Sequence, residues 1–444
     1  MASLEQWREI VAAANFLPDE KLLKVLELVE QAPDRDRAGE FRQKVRSRLV
    51  QLRPPRRITA QRLLFNPVED LFDPPDHTVF RHGRISRAVI APCWQIIAAG
   101  VTANLITLTE SRLRSIGRFD LEAQNEVGVP LWSAAAGVLG QRLADAARDT
   151  KIRIELFGRD EGVVRQVEMI LRVLEIGAEI EDAKINLPPK PIFDLTDIEA
   201  ELLGQMISPL AKMSMDRVRW FLRAIMARMA NPGELLKVLS GAALNCSKAE
   251  RDALIRDLGG TAVAAMASET EHLVKGSQER VDPAAATTEV ERLVDGLSAL
   301  ETSMGRLVDR TLLAEIRSTR GEIGKLIMGK IMPSADAKLL AALPTPGRHK
   351  KIGTPAEEEK ELQQAEEAEG CALALRRCAR VAGAVGLQSQ IDAKVKSLCT
   401  EIEKRGSQAG LTGEDNDVYA AVRMMELLSG PEEAERMLRR VRAG

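Results

Sequence analysis

Residues 290–307 read VERLVDGLSALETSMGRL, and the spacing of their apolar positions decides the fold class. Val290, Leu293, Leu297, Leu300, Met304 and Leu307 alternate steps of three and four, which puts all six on one face of an α-helix. The run covers about three heptads, the lower limit for reading a coiled-coil seam. A seam inside a helical hairpin or bundle is the commoner use at that length, and Gly296 and Gly305 weaken an intermolecular zipper further. The expectation is a bundle, with self-association through a 290–311 seam as its variant.

The same periodicity extends in both directions. Thr196 or Asp197 caps a run to about Leu210. Met215–Met229 carries Val218, Phe221, Leu222, Ile225 and Met229 on one face. Ser247 with Glu250 three residues later has the form of a capping box. Beyond 356 the chain reads as helices broken at Gly406–Gly413 and at Gly430-Pro431, and Asp417–Leu428 with Pro431–Val441 reads as a closing helical hairpin.

Composition agrees. Aromatic residues make up only 3% of the chain, so the core must be built from Leu, Ile, Val, Ala and Met, a mixture that favours an all-α class. At 444 residues the chain exceeds one ordinary core. We expect multi-domain helical bundles: an N-terminal module over 1–52, an Arg-rich entry segment and helical domain over 53–187, a bundle over 192–342, a linker at 343–356 and a last helical domain over 357–444. The stiff Pro188-Pro189-Lys190-Pro191 marks the main internal boundary.

Within 53–187, helices are expected at about Ser86–Leu108, Leu121–Asn125 and Leu131–Arg148. The one departure from helix is Lys151–Phe157, where Ile152, Ile154 and Leu156 alternate with Arg153 and Glu155 as in a strand. With Ile180–Leu187 as a second strand, a small β-α-β element would span 151–187; the alternative is a bent helix.

Charge and cysteine content narrow the functional classes. A net charge of -2 describes a solvated surface and not a bulk polyanion binder. Five dispersed cysteines, an odd number, point to reduced thiols, and no basic segment with an apolar stretch opens the chain, so a cytoplasmic protein is expected. No charge falls between Arg87 and Glu110, a length that would cross a bilayer. Pro92, Gln95, Gly100, Thr102, Asn104 and Thr107 interrupt it, so a buried helix is expected and no transmembrane span.

Catalytic motifs are missing. Glu269 and His272 have the Glu-x-x-His spacing of helical metal sites, but no second such motif accompanies them, so no metal is assigned. Gly321–Lys325 lacks the preceding glycine and following hydroxyl of a phosphate loop, so no cofactor is assigned either. Cys371 and Cys378 stand two helical turns apart, too far for a disulfide.

Two constellations remain. Arg53, Arg56, Arg57, Arg62, Arg81, Arg84 and Arg87 crowd one region, the last three spaced to share a helical face, and arginine suits bidentate contact to phosphate or carboxylate. Glu69, Asp70, Asp73 and Asp76 lie among them and can neutralise them locally. The second constellation is methionine-rich, with Met213, Met226 and Met229 as candidate anchors for a partner. The expected function is a helical scaffold or adaptor that holds partner proteins. The alternative is a regulatory module that binds nucleic acid, anionic lipid or another anion through the arginines; an enzyme ranks third.

Overall fold

In the computed structural model of the chain, the described residues are 17–31, 41, 43, 45, 58–73, 83–117, 120–241, 246–275, 282–343, 355–412 and 415–443. Most of the expected linker at 343–356 and most of the 1–52 module therefore lie outside them.

The described chain is all-α. Helix α1 (Asp19–Gln31) stands first. Helix α2 (Ala60–Phe65) runs into a 3-10 turn at Asn66–Leu71. Then come α3 (Ile90–Gly100), α4 (Ala103–Ser115), α5 (Leu121–Arg148), α6 (Thr150–Phe157), α7 (Glu161–Leu174) and α8 (Gly177–Asn186). The next group is α9 (Asp197–Met213), α10 (Met215–Met226), α11 (Pro232–Gly241), α12 (Lys248–Lys275) and α13 (Pro283–Met304). Helices α14 (Arg310–Leu326) and α15 (Met332–Ala342) are joined through a π-helical turn at Ile327–Ile331. Helices α16 (Pro355–Val381), α17 (Gln388–Thr412), α18 (Asp415–Ser429) and α19 (Pro431–Ala443) complete the chain.

No strand occurs among the described residues, which corrects the β-α-β expectation for 151–187. Asp149 accepts the Lys151 amide at 2.7 Å, capping α6 as a helix, and Arg153 reaches Glu161 at 3.1 Å. The alternation was misleading: helical spacing buries Phe157 and leaves Ile154 41% exposed, whereas a half-buried strand would have put Ile152, Ile154 and Leu156 together inside. In α8, Ile180 and Ala183 are both buried, three residues apart, and Asn186 bonds back to Asp182.

The expected break between Leu121–Asn125 and Leu131–Arg148 is also absent. Helix α5 runs through Pro130 as one element of 28 residues. Gly128 is there for space: a Cβ at that position would lie 2.4 Å from the Trp132 ring. Trp132 is 1% exposed and donates its Nε1–H to the Leu63 carbonyl at 2.9 Å, tying α5 to α2. Conversely, the expected helix at Ser86–Leu108 is broken near Val101, and its halves turn by 114°. Among the described residues no single helix is long and apolar enough to cross a membrane.

The 290–307 seam is used inside the chain. Val290, Leu293, Leu297 and Leu300 are fully buried, and α13 packs against α11, α12 and α16 of the same molecule. Each such side chain contributes roughly 1.5–3 kcal/mol of burial, and none is free to zip to a second copy. Described buried apolar residues form one continuous cluster from Ala60 to Met437. A small separate cluster consists of Leu22, Leu26, Val29, Phe41 and Val45.

Candidate functional site

The site lies where the segment before the 188–191 prolines meets the segment after them. Its first wall begins with the 3-10 turn that carries Glu69, Asp70 and Leu71. Beside it runs Gly83–Ser86, which is extended and not helical. Its register is set by a parallel bridge in which Asp73 donates to Ile85 and Ile85 to Leu71, both at 2.9 Å. Gly83 takes φ +73, and a Cβ on it would come 3.3 Å from Thr261, so a glycine lets this edge approach α12. Gln166 of α7 fixes the end of the edge by accepting the Ser86 amide at 2.7 Å.

Arg84 is therefore placed by an extended edge and Arg87 by the start of a 3-10 turn at Arg87–Val89, which corrects the single helical face expected for them. Arg84 donates to the Asp70 carbonyl at 2.6 Å. Arg87 donates to the Asp73 carbonyl at 3.0 Å and to Glu69 at 2.7 Å, with its guanidinium 5.4 Å from the centre of the Phe72 ring.

The second wall comes from α10, α12 and α13. Helix α10 supplies Trp220, Arg223 and Met226, then ends in a turn holding Arg228 and Met229. That turn is stitched to the proline segment: Ile192 donates to the Arg228 carbonyl at 2.9 Å, and Ala230 donates to the Ile192 carbonyl at 2.7 Å. Helix α12 supplies Ala262, Ala265, Met266 and Glu269, and α13 supplies Arg292.

Two adjoining spaces result. The inner one, about 110 Å³, is lined mainly by Met169, Trp220, Met226, Met229 and Met266 over the Ala262–Ala265 surface of α12. The outer one, about 430 Å³, is polar, and its rim includes Glu69, Arg87, Lys190 and Glu289. Arg84, Ala227, Glu269 and Arg292 border both spaces.

Charge on this rim is matched. Arg292 donates to Glu269 at 2.6 Å and through Nε to Glu289 at 3.0 Å. Burial opposes the Arg292 charge, but the two carboxylates overcome that and raise its pKa still further above the ordinary arginine value. Below the rim, Asp70 meets Lys190 at 2.6 Å, Arg228 at 2.8 Å and Lys184 at 3.6 Å. Burial alone would raise the Asp70 pKa, but the three cations outweigh it and hold the carboxyl below its usual range. Arg223 lies 4.7 Å from the centre of the Trp220 ring and reaches Asp257 at 3.2 Å and Thr261 at 3.3 Å, which steadies that aromatic wall.

Such an arrangement suits binding. The rim carboxylates Glu69, Glu269 and Glu289 each face an arginine. Among the described residues, no group of three or more His, Cys, Asp or Glu could hold a metal ion.

The sequence-named residues divide as follows. Arg84, Arg87, Met226 and Met229 come together at the cleft. Arg62 is exposed on α2 and borders neither space. Met213 is 61% exposed at the end of α9, with its sulfur 3.5 Å from Arg217. Arg53, Arg56, Arg57 and Arg81 lie outside the described residues. Trp220, Met169, Met266, Glu269 and Arg292 were missed as a set. Glu269 had drawn notice only as half of a metal spacing, whereas its partner is Arg292, 23 residues away.

No protein-family model matches the chain, and neither a curated protein nor a solved structure matches it.

Proposed function

We propose that the chain is a helical adaptor whose cleft receives a short amphipathic segment of a partner protein. One apolar side chain of the partner enters the methionine-lined chamber, and the charged residues around it meet the rim. The division into helical modules expected at 188–191 and 343–356 belongs to this reading, as does a cytoplasmic setting.

The observation that carries the proposal is the pairing of two unequal spaces. A chamber of about 110 Å³ has room for a single side chain. The mouth of about 430 Å³ has room for main chain and carries Arg84, Arg87, Lys190 and Arg292 against Glu69, Asp70, Glu269 and Glu289. A peptide bearing both signs of charge complements such a rim. A polyanion would need a surplus of cations, and four face four here, so the phosphate reading ranks second. Methionines favour this use because their unbranched thioethers repack around different anchors.

The test is selection from a random-peptide display library against the intact chain, repeated with Met226→Gln/Met229→Gln and with Arg84→Glu. Peptides that bind the parent and are lost on both variants, with helical content unchanged by circular dichroism, support the proposal. Peptides that bind all three proteins equally overturn it.

A further inference from the structure

Helices α3 and α4 are not the buried element that their lack of charge implied. Of the 22 residues from 88 to 109, five are buried and eleven are exposed, and none is charged in a chain that is 29% charged. We infer that the outward face of this helix pair docks on a zwitterionic phospholipid bilayer, lying in the headgroup layer without crossing it. The face is separate from the cleft, since none of these residues borders either space.

The two helices are amphipathic in an unusual sense. Their inward sides, with Cys93 and Ile97 on α3 and Thr109 and Leu113 on α4, are buried, and both helices pack on α5. The outward side of α3 carries Ala91, Pro92, Gln95 and Ala99, spaced to share one helical face. On α4 it carries Asn104, Thr107 and Leu108, the last 49% exposed. Helix α5 continues the pattern: no charge falls between Glu126 and Arg142, and Val129 is 43% exposed there.

Two observations choose lipid as the occupant. Taken together, Arg87–Gly100 and Ala103–Ser115 are long and apolar enough for a bilayer, yet they turn by 114°. With their inward sides already packed, they can offer a membrane only one face, the arrangement of an interfacial helix pair. The second observation is the edge, where charge resumes with both signs. Arg112 and Arg114 near the end of α4, and Glu122 and Glu126 near the start of α5, are exposed, and none of the four has an ion pair among the described residues. Headgroups that carry a phosphate and an ammonium complement both signs, whereas a polyanion complements only one.

Approach to lipid leaves few backbone or hydroxyl groups stranded at the bend. Val101 donates to the Ile97 carbonyl at 2.8 Å and Leu105 to the Thr102 carbonyl at 2.9 Å. The Thr107 hydroxyl donates to the Ala103 carbonyl at 3.0 Å. Groups already paired in this way lose little when water is thinned around them. Gly100 holds the bend against α5, because a Cβ there would lie 2.5 Å from Val138.

The experiment floats the full chain with phosphatidylcholine vesicles through a density gradient, at low and high salt, and repeats this with phosphatidylglycerol added. The parent is expected to rise with phosphatidylcholine vesicles at both salt concentrations, because burial of uncharged surface holds it and salt screens only charge. Leu108→Asp and Ala99→Asp each place a charge on the face at an exposed position, and each should lower the bound fraction about tenfold or more. Thr107→Asp serves if either variant loses its helical content by circular dichroism. Leu362→Asp, at a leucine 62% exposed on α16, should leave binding unchanged. A parent chain that stays at the bottom of the gradient overturns the inference and gives the face to a protein partner. Flotation only with phosphatidylglycerol and only at low salt overturns it too, since arginine attraction alone explains that result. So does a Leu108→Asp chain that floats as the parent does.

Discussion

Arg228 donates its Nη1–H to Asp70 Oδ2 at 2.8 Å, joining two side chains 158 residues apart in sequence that are 8% and 7% exposed. The pair ties the 3-10 turn before the proline segment to the end of α10 after it, and Lys190 from the prolines themselves joins on the other carboxyl oxygen. Removing one member of such a buried group leaves the remaining charge uncompensated.

Asp70→Asn should therefore lower stability by roughly 3 kcal/mol at neutral pH. The pH dependence has a definite sign. The folded-state pKa of Asp70 lies below its ordinary value of 3.8, so its stabilisation is complete above that value and is lost as pH falls through the folded one. Urea denaturation at several pH values checks this: the gap between parent and variant should close on the acid side of 3.8. A gap that stays constant down to the lowest pH would show that the carboxylate charge is not what binds the two segments.

The Arg292 pair on the rim should behave differently. Its side chain is 37% exposed, so water and salt screen its pairing with Glu269 and Glu289. Arg292→Gln is expected to cost about 1 kcal/mol or less, with the cost shrinking at high salt. Equal losses for Asp70→Asn and Arg292→Gln in the same denaturant series would contradict this ordering.

Gly128 tests the α2–α5 contact. Because a Cβ there meets the indole of Trp132 at 2.4 Å, Gly128→Ala must displace a ring that is almost fully enclosed. Alanine's better helix propensity offsets only about 1 kcal/mol of that, so a net loss of about 1–3 kcal/mol is expected from overpacking. Trp132 fluorescence in a chain whose other tryptophans are replaced by phenylalanine reports the displacement; an unshifted emission and unchanged stability would refute it.

The cysteines give a fourth prediction. Burial pushes the Cys93 thiol up to about 12 and the Cys371 thiol up to about 11. Neither forms thiolate at mild pH, so iodoacetamide at pH 8 should leave both unmodified in the native protein and label both after denaturation. Mass spectrometry of the digested protein reads the outcome, and rapid native labelling of Cys93 would refute the buried assignment.

The helical class was legible because it rests on periods that repeat along the whole chain, and the 290–307 seam shows it best. The strand reading failed at 152–156 because alternation over so few residues fits a short helix as well, and the Asp149 cap decides between them. The break expected near 125–130 failed for a tertiary reason: Gly128 and Pro130 look like helix breakers, yet Trp132 needs the room that Gly128 leaves. Half of the site was visible as unusual local density, the arginines at 84 and 87 and the methionines at 226 and 229. The other half was not, since Met169, Glu269 and Arg292 carry no local signal and become neighbours only when α7, α12 and α13 converge. Of the local acids read as partners for nearby arginines, Glu69 does pair with Arg87, while the Asp70 carboxylate pairs instead with Lys184, Lys190 and Arg228.

The convergence of two separate walls on one chamber has a consequence for how the molecule is made. Gly83–Ser86 and Met169 arrive early in the chain, and Trp220, α12 and α13 arrive later, so a nascent or clipped chain holds at most half a pocket. An occupant of the chamber would be gripped only once both walls are in place. By mass action, an occupant present at one hundred times its Kd would strengthen the clasp between the two segments by about 2.7 kcal/mol. Resistance of the 188–191 crossing to proteolysis would then rise and fall with the concentration of that occupant.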